Sequence, residues 1–91
     1  MSKQIVFIND KGKEYKCIGW ACDAFRSGWE WYAFEKTEDE GVFFGLVHGF
    51  ETELGYFSTQ ELAENKIRFY TKYSDLSSIM PPVGWTKKII N

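Results

Sequence analysis

The amino-acid sequence predicts a single small α+β domain, built on an antiparallel meander sheet of about five strands with one or two short helices after residue 58. Three observations lead to this prediction: the chain length, short aromatic and β-branched segments separated by turn signals, and a helix-start signal that follows them. Ninety-one residues supply one modest core, and 44% hydrophobic with 26% charged residues is the composition of a folded protein. We therefore expect residues 1–91 to form one domain.

The first segments of the chain predict a β-hairpin. Residues 3–9 and 14–20 are rich in aromatic and β-branched side chains, and the turn signal Asn-Asp-Lys-Gly at 9–12 separates them. The pattern then stops at the small and polar residues of 23–28, where we expect a loop. This hairpin is expected to begin the sheet.

The middle of the chain predicts further strands of the same sheet. Residues 29–36 carry bulky side chains on both faces, which is typical of a central strand. We expect an acidic loop at 37–40, a strand at 42–48, a turn at 49–53 and a short strand at 54–57. Such short connections between consecutive strands favour a meander.

A helix is predicted directly after these strands. Ser58 and Glu61 form a capping-box pattern, in which the serine hydroxyl accepts a hydrogen bond from the backbone N–H of Glu61. In the same pattern the Glu61 carboxylate accepts a hydrogen bond from the N–H of Ser58. The prediction is a helix over residues 59–65.

The last quarter of the chain gives weaker signals. Residues 66–70 alternate apolar with polar side chains, which predicts a strand. Ser74 is a candidate cap for a short helix over 75–80, which must end before Pro81. The tail, residues 81–91, is apolar enough to be a docked segment or an edge strand.

The net charge of −2 conceals an uneven distribution along the chain. Residues 1–29 carry five Lys or Arg and three Asp or Glu, net +2, and residues 65–91 carry five and one, net +4. Residues 30–64 carry one Lys and nine Asp or Glu, net −8. Unless the fold mixes these segments, we expect an acidic face and a basic face.

Several classes of protein are disfavoured by the sequence. No apolar run approaches the ~20 residues that span a bilayer, and the N-terminus lacks a signal-peptide pattern, so we expect a cytoplasmic protein without membrane contact. Cys17 and Cys22 are five positions apart, which fits neither a redox motif nor a disulfide framework. With His48 they complete no known zinc spacing. We therefore expect reduced cysteines, no metal and no cofactor.

An aromatic strand, an acidic turn and the stretch FFGLVHGFETELGYFSTQEL follow one another within residues 28–80. Together they resemble an uncharacterised family of small bacterial proteins carried by plasmids, phages and other mobile elements, in which FFGxVxGxExExGYFSxxEL recurs. The resemblance implies partners in plasmid or phage biology, such as host-defence or DNA-processing proteins, and no established activity. The matching positions are Trp31, Tyr32, Phe43, Phe44, Gly45, Val47, Gly49, Glu51, Glu53, Gly55, Tyr56, Phe57, Ser58, Glu61 and Leu62.

The first functional hypothesis is a non-catalytic protein-interaction module of a mobile element, whose acidic face binds a basic protein partner. Opposite charge would steer the partner toward this face, whereas the plainer interpretation is an acidic loop that keeps a small domain in solution. The sequence pI of about 5.4 favours an acidic interface over general nucleic-acid binding. The candidate residues are Glu35, Glu38, Asp39, Glu40, Glu51 and Glu53.

The second hypothesis is single-stranded nucleic-acid binding by the basic, aromatic C-terminal region. Cations would follow the phosphates while rings stack on bases, whereas the plainer interpretation places the rings in the core and the lysines in solvent. The candidate residues are Arg68, Tyr70, Lys72, Tyr73, Trp85, Lys87 and Lys88.

The third hypothesis is an enzyme that uses Glu51 and Glu53. Two carboxylates at one strand end suit acid–base chemistry when their pKa values differ, but a solvated acidic turn is far commoner. Either cysteine could pair with His48 as nucleophile and base, and nothing in the local sequence supports that pairing. We therefore expect no catalytic activity.

Overall fold

The structure, a computed structural model, describes residues 3–91. Within that range the chain forms two antiparallel β-sheets and two short helices, and neither helix is long and apolar enough to cross a membrane. The elements are β1 (Gln4–Ile8), β2 (Glu14–Cys17), β3 (Gly19–Cys22), β4 (Glu30–Lys36), β5 (Val42–His48), β6 (Thr52–Ser58), α1 (Thr59–Glu64), β7 (Phe69–Tyr70), α2 (Tyr73–Leu76) and β8 (Thr86–Ile90).

The first sheet has three strands in the order β2-β1-β8. Its β1–β2 hairpin turns where the sequence predicts: the side-chain oxygen of Asn9 accepts hydrogen bonds from the backbone N–H groups of Lys11 and Lys13. Gly12 lies at φ 84°, a left-handed conformation that costs glycine little. On the other side of β1, the tail forms β8, so of the two alternatives for the tail the edge strand is confirmed.

The second sheet has five strands in the order β6-β5-β4-β3-β7. Strands β3 to β6 follow one another as a meander, and β7 returns to pair with β3 at the opposite edge. One run of chain passes from β2 in the first sheet to β3 in the second through Ile18. The backbone N–H of Ile18 donates to the carbonyl of Ala33 at 2.8 Å.

The main core lies between the two sheets. Phe7 and Tyr32 are fully buried, with ring centroids 5.2 Å apart, and Leu46 is buried beside Tyr32 on β5. The Tyr32 hydroxyl donates to the carbonyl of Met80 at 3.1 Å, which satisfies a buried polar group and fastens the segment before β8 to β4. Burial, together with the negative charge of Glu30, raises the pKa of Tyr32.

A smaller aromatic cluster covers part of the opposite face of the five-stranded sheet. The rings of Phe43 and Phe57 both lie within 6.4 Å of the Phe69 ring, measured between centroids. The Phe69 ring occupies the space that a side chain at position 19 would need, which explains Gly19. Helix α1 follows β6 directly and buries Leu62. Both faces of this sheet are therefore partly covered.

The prediction of one meander sheet of about five strands is wrong in its sheet count. Antiparallel pairing is confirmed, but the first hairpin and the tail form a separate three-stranded sheet. The separation depends on the pairing of β1 with β8, two strands at opposite ends of the chain, and on the passage at Ile18. Neither has a local sequence signal, since pairing over such a distance is decided by packing.

The predicted helix after Ser58 is confirmed. The Ser58 hydroxyl accepts a hydrogen bond from the N–H of Glu61 at 3.4 Å, and α1 begins at the next residue. The reciprocal bond of the capping box, from the N–H of Ser58 to the Glu61 carboxylate, does not occur among the described residues. The predicted strand over 66–70 is shorter than expected, because the chain after α1 turns through Lys66 at φ 61° before β7 begins. A positive φ at a lysine is unusual and marks this turn as a tight one.

The second predicted helix begins earlier than expected. The sequence predicts a helix over 75–80 with Ser74 as its cap, whereas α2 spans Tyr73–Leu76 and follows Lys72, which makes no side-chain capping hydrogen bond. Leu76 is buried in the main core. Packing of this apolar side chain, and not a capping serine, therefore places the helix.

Candidate functional site

The predicted acidic residues do not form one face. Glu38, Asp39 and Glu40 are exposed in the loop between β4 and β5, whereas Glu51 and Glu53 are exposed where the β5–β6 turn meets β6. The seven residues of β5 separate the two groups, a distance of about 20 Å. We call these two regions the β4–β5 end and the β5–β6 end.

Glu35 belongs to neither end. It lies in a separate cleft between β2 and the β5–β6 hairpin, which Lys13 and Lys16 also line. Two lysines and two glutamates, Glu14 and Glu35, line that cleft, so its charges balance and Glu35 adds little to the negative field of either acidic group.

The β4–β5 end is an acidic loop without hydrophobic side chains, with the sequence TEDEG over 37–41. The Thr37 hydroxyl donates to the carbonyl oxygens of Asp39 and Val42, and Gly41 completes the turn at φ 80°. The backbone N–H and the hydroxyl of Thr59 both donate to the Gly41 carbonyl, which fastens the loop to the start of α1. Phe43, which is half-buried, lines a cleft of about 230 Å³ with Asp39. This end therefore presents charge without an exposed ring.

The β5–β6 end combines charge with exposed rings. Phe50, in the turn, is 96% exposed, and its ring centroid lies 5.4 Å from that of Trp29 with an interplanar angle of 82°. These two rings line a cleft of about 330 Å³ together with Val47, Glu51 and Glu53. We call this cleft the aromatic–acidic cleft.

Trp29 occupies its position in the cleft because residue 49 is glycine. A Cβ placed on Gly49 would lie 2.6 Å from three atoms of the Trp29 indole, closer than a side-chain carbon can approach. The indole of Trp31 lies beside it, with ring centroids 6.2 Å apart. Both indoles are half-buried, so the rings form an aromatic surface that continues to Phe50.

Trp29 is also held through its backbone by the loop before β4. Its N–H donates to the Ser27 hydroxyl oxygen at 3.3 Å, and its carbonyl accepts from the N–H of Asp23 at 2.8 Å. The Ser27 hydroxyl donates in turn to the Asp23 carboxylate at 2.9 Å, and Arg26 forms an ion pair with Asp23 at 3.4 Å. The hydrogen bond from Ser27 is the main cause of the lowered pKa of Asp23.

The sheet register places one of the carboxylates beside the indoles. Glu53 pairs with Val47, and Val47 pairs with Trp31. Residues paired across antiparallel strands project to the same face, so Glu53 and Trp31 share a face of the sheet. Among residues 3–91, neither Glu51 nor Glu53 takes part in a salt bridge.

Two cations of the predicted nucleic-acid set have structural partners. The Lys87 ammonium donates to the carbonyl oxygens of Ser77 and Ile79 at 2.7 and 2.8 Å, which ties β8 to the segment after α2. Lys88 forms an ion pair with Glu14 at 2.8 Å. Lys87 therefore stabilises the fold, and Lys88 is held in an ion pair within the chain.

The other members of that set lie in three places. Trp85 packs against the main core, 5.6 Å from Tyr15 between ring centroids. Arg68, Tyr70 and Lys72 line one shallow cleft near β7, and Tyr73 lines a different one. The structure therefore brings together three of the seven predicted residues.

The thiols are poor nucleophiles in this fold. Burial raises the pKa of Cys17 to about 12. Burial also raises the pKa of Cys22, and the negative charges of Glu30 and Asp23 raise it further. Both thiols stay protonated at neutral pH, whereas the thiolate is the reactive form. Both cysteines are free.

The residue types that bind metal ions do not converge in the part of the chain that the structure describes. No three His, Cys, Asp or Glu side chains of residues 3–91 lie together as metal ligands. His48 instead forms a hydrogen bond with Thr52, with 2.7 Å between its Nδ1 and the threonine Oγ1. This contact connects β5 to β6 next to the turn that carries Phe50.

The sequence predicts the two carboxylates of the cleft as candidate residues, but it does not predict its two rings. Residues 29–36 predict a central strand, which explains bulky side chains on both faces without any need for a site. The available signal was Phe50, an aromatic residue in a short turn, because turns lie at the surface and leave such a ring exposed.

In comparisons with known proteins, no family model matches the chain, and no curated protein or solved structure is significantly similar to it. The resemblance to the mobile-element family therefore stays a prediction. Four of the positions that carry it, Val47, Gly49, Glu51 and Glu53, lie in or directly beside the aromatic–acidic cleft.

Proposed function

We propose that the chain is a small non-catalytic protein-interaction module that binds a basic protein partner through its β5–β6 end. The observation that carries this proposal is the fully exposed ring of Phe50 in a cleft with Trp29 and two carboxylates. Exposed aromatic rings bordered by charge are typical of protein-binding surfaces, where rings supply contact area and charges select and steer the partner.

The proposed interface is smaller than the acidic face that the sequence predicts. Of the two acidic ends of β5, only the β5–β6 end places an exposed ring beside carboxylates. The β4–β5 end contributes to the long-range field that attracts a basic partner, and it makes no direct contact in this proposal. Residues Glu38, Asp39 and Glu40 therefore affect the association rate more than the lifetime of the complex.

The biological setting of this proposal comes from the resemblance alone. A protein carried by a plasmid or phage would meet host-defence or DNA-processing proteins, whose nucleic-acid-binding surfaces are basic. The proposed partner is therefore a basic protein of that kind.

Charge reversal at each end tests the proposal. The probe is a fluorescent peptide rich in lysine and arginine, and its binding is measured by anisotropy as a function of salt. Glu51→Lys with Glu53→Lys should abolish binding, while the matched pair Glu38→Lys with Glu40→Lys should leave binding detectable and mainly lower the association rate. Equal losses from both pairs would mean that net charge alone is responsible, and the proposal would be wrong.

A second candidate function, single-stranded nucleic-acid binding, is favoured by the contacts around β7. The Arg68 guanidinium lies 5.5 Å from the centroid of the Tyr70 ring, and that ring lies 5.5 Å from Trp20. Cations beside stacked rings suit the bases and phosphates of a single strand. Arg68→Glu with Lys72→Glu should remove salt-dependent binding of labelled single-stranded DNA, if this is the function.

A further inference from the structure

The geometry points to a specific ligand for the aromatic–acidic cleft: we propose that it binds an alkylammonium group, namely the side chain of a lysine or N-methylated lysine of the partner. This inference rests on the proposed function, because it names the chemical group that the interface recognises. The expected ligand is a cation because two rings and two carboxylates line the same small cleft.

The two rings of the cleft favour a compact cation. Trp29 and Phe50 meet at 82° with centroids 5.4 Å apart, so they form two walls that are nearly perpendicular. A compact, rounded cation contacts both walls of such a corner, whereas a planar guanidinium lies flat against one ring. The cleft volume of about 330 Å³ is near the lower limit for ligand sites, which suits a side-chain headgroup.

The two carboxylates of the cleft favour a positively charged ligand. Glu51 and Glu53 line the cleft, and neither has a cationic partner among the residues that the structure describes. A cation in the cleft would therefore meet negative charge that no group of residues 3–91 neutralises by an ion pair. An uncharged ligand of the same shape would keep only the contact with the rings.

One wall of the cleft, the Trp29 indole, is held in place without a ligand. Gly49 leaves the space that the Trp29 indole fills, and the backbone of Trp29 is fixed on both sides by Ser27 and Asp23. A ring that is already in place loses little conformational entropy on binding. The cleft can therefore select a ligand without rearranging the sheet.

Choline and its uncharged carbon analogue 3,3-dimethylbutan-1-ol test this inference directly. Both compounds have the same shape, and only choline carries a positive charge. In NMR titrations at constant ionic strength, choline should shift the indole N–H signals of Trp29 and Trp31 in a saturable manner. The uncharged analogue should bind at least about threefold more weakly, given the strength of a cation–π contact. Equal binding of both compounds, or no saturable shift with choline, would overturn the inference.

Matched variants assign the binding to the cleft. Phe50→Ala should weaken choline binding about two- to fivefold, while Phe25→Ala, which removes an equally exposed ring outside the cleft, should leave it unchanged. Glu51→Gln with Glu53→Gln should weaken it severalfold, and Glu38→Gln with Glu40→Gln should not. All six altered residues are exposed, so the fold should be retained in each variant. Losses of the same size at the control sites would overturn the inference.

The inference and the proposed function can fail separately. If the cleft binds choline but charge reversal at both ends affects the basic peptide equally, the proposed interface is wrong and the cation site stands. If the peptide binds through the β5–β6 end but choline and its analogue bind equally, the interface stands and the alkylammonium site is overturned.

Discussion

The two ends of β5 are both acidic, but only the β5–β6 end has an exposed aromatic ring. The β4–β5 end has three exposed carboxylates in a loop without hydrophobic side chains, built from threonine hydroxyl and backbone hydrogen bonds. The β5–β6 end has two carboxylates beside Trp29 and the exposed Phe50. Charge without an exposed ring creates a field, whereas charge beside an exposed ring offers a surface where a ligand loses water and makes contact.

This difference explains why sequence charge alone ranks the candidate residues poorly. Counting carboxylates favours Glu38, Asp39 and Glu40, because they are consecutive. The sheet register instead places Glu53 on the same face as Trp31, which is 22 positions away in sequence, with Val47 between them. The smaller acidic group therefore has the better-formed surface.

The largest expected effect comes from the core that supports both ends. Phe7 is fully buried between the sheets and packs against Tyr32 on β4. Phe7→Ala should lower the free energy of unfolding by roughly 3–5 kcal/mol, because it leaves a cavity. In urea unfolding of the variant, as of the parent protein, the transitions followed by tryptophan fluorescence and by far-UV circular dichroism should coincide. A change confined to one spectroscopic signal would show that the two ends do not share this core.

Two glycine-to-alanine substitutions, one at each end of β5, should have effects of intermediate size. Gly49→Ala should displace the Trp29 indole and cost roughly 1–3 kcal/mol, since an added Cβ would lie 2.6 Å from the ring. Gly41→Ala, in a left-handed turn at the β4–β5 end, should cost about 1 kcal/mol. Both variants are compared by chemical denaturation and by choline titration.

Only the Gly49 variant should lose choline binding. If Gly41→Ala reduced binding as much, overall destabilisation would be the cause and the assigned role of Gly49 would be wrong.

The smallest expected effect is a pH dependence confined to the loop before Trp29. The folded protein lowers the pKa of Asp23 from its ordinary value of 3.8, so its contribution to stability is complete above that value. The contribution is lost as the pH falls through the lowered pKa. Amide NMR signals of Ser27 and Trp29 should therefore shift below pH of about 4, and Asp23→Asn should abolish that shift.

The β4–β5 end provides the comparison for this titration. The hydrogen bonds that shape its loop use the Thr37 and Thr59 hydroxyls and backbone groups, and no carboxylate. Its backbone geometry should stay unchanged over the same pH range. A larger loosening there than around Trp29 would contradict the assignment of Asp23 as the loop's support.

Local signals in the sequence predicted local structure well. The Asn9 turn and the Ser58 cap are formed by hydrogen bonds between neighbours in sequence, and both occur as expected. The division into two sheets depends on β1 meeting β8, and the site depends on Trp29 lying over Gly49, twenty positions later. Such contacts are decided by packing of the whole chain, so no short pattern contains them.

The most direct test of an interface at the β5–β6 end is a map of the peptide-binding surface by amide NMR. The isotope-labelled protein is titrated with the lysine- and arginine-rich peptide, and the shift of every backbone and indole N–H is followed. The largest saturable shifts should fall on Trp29, Trp31, Phe50, Glu51 and Glu53. Largest shifts in the loop over 37–41, or around Arg68 and Lys72, would contradict this placement of the interface.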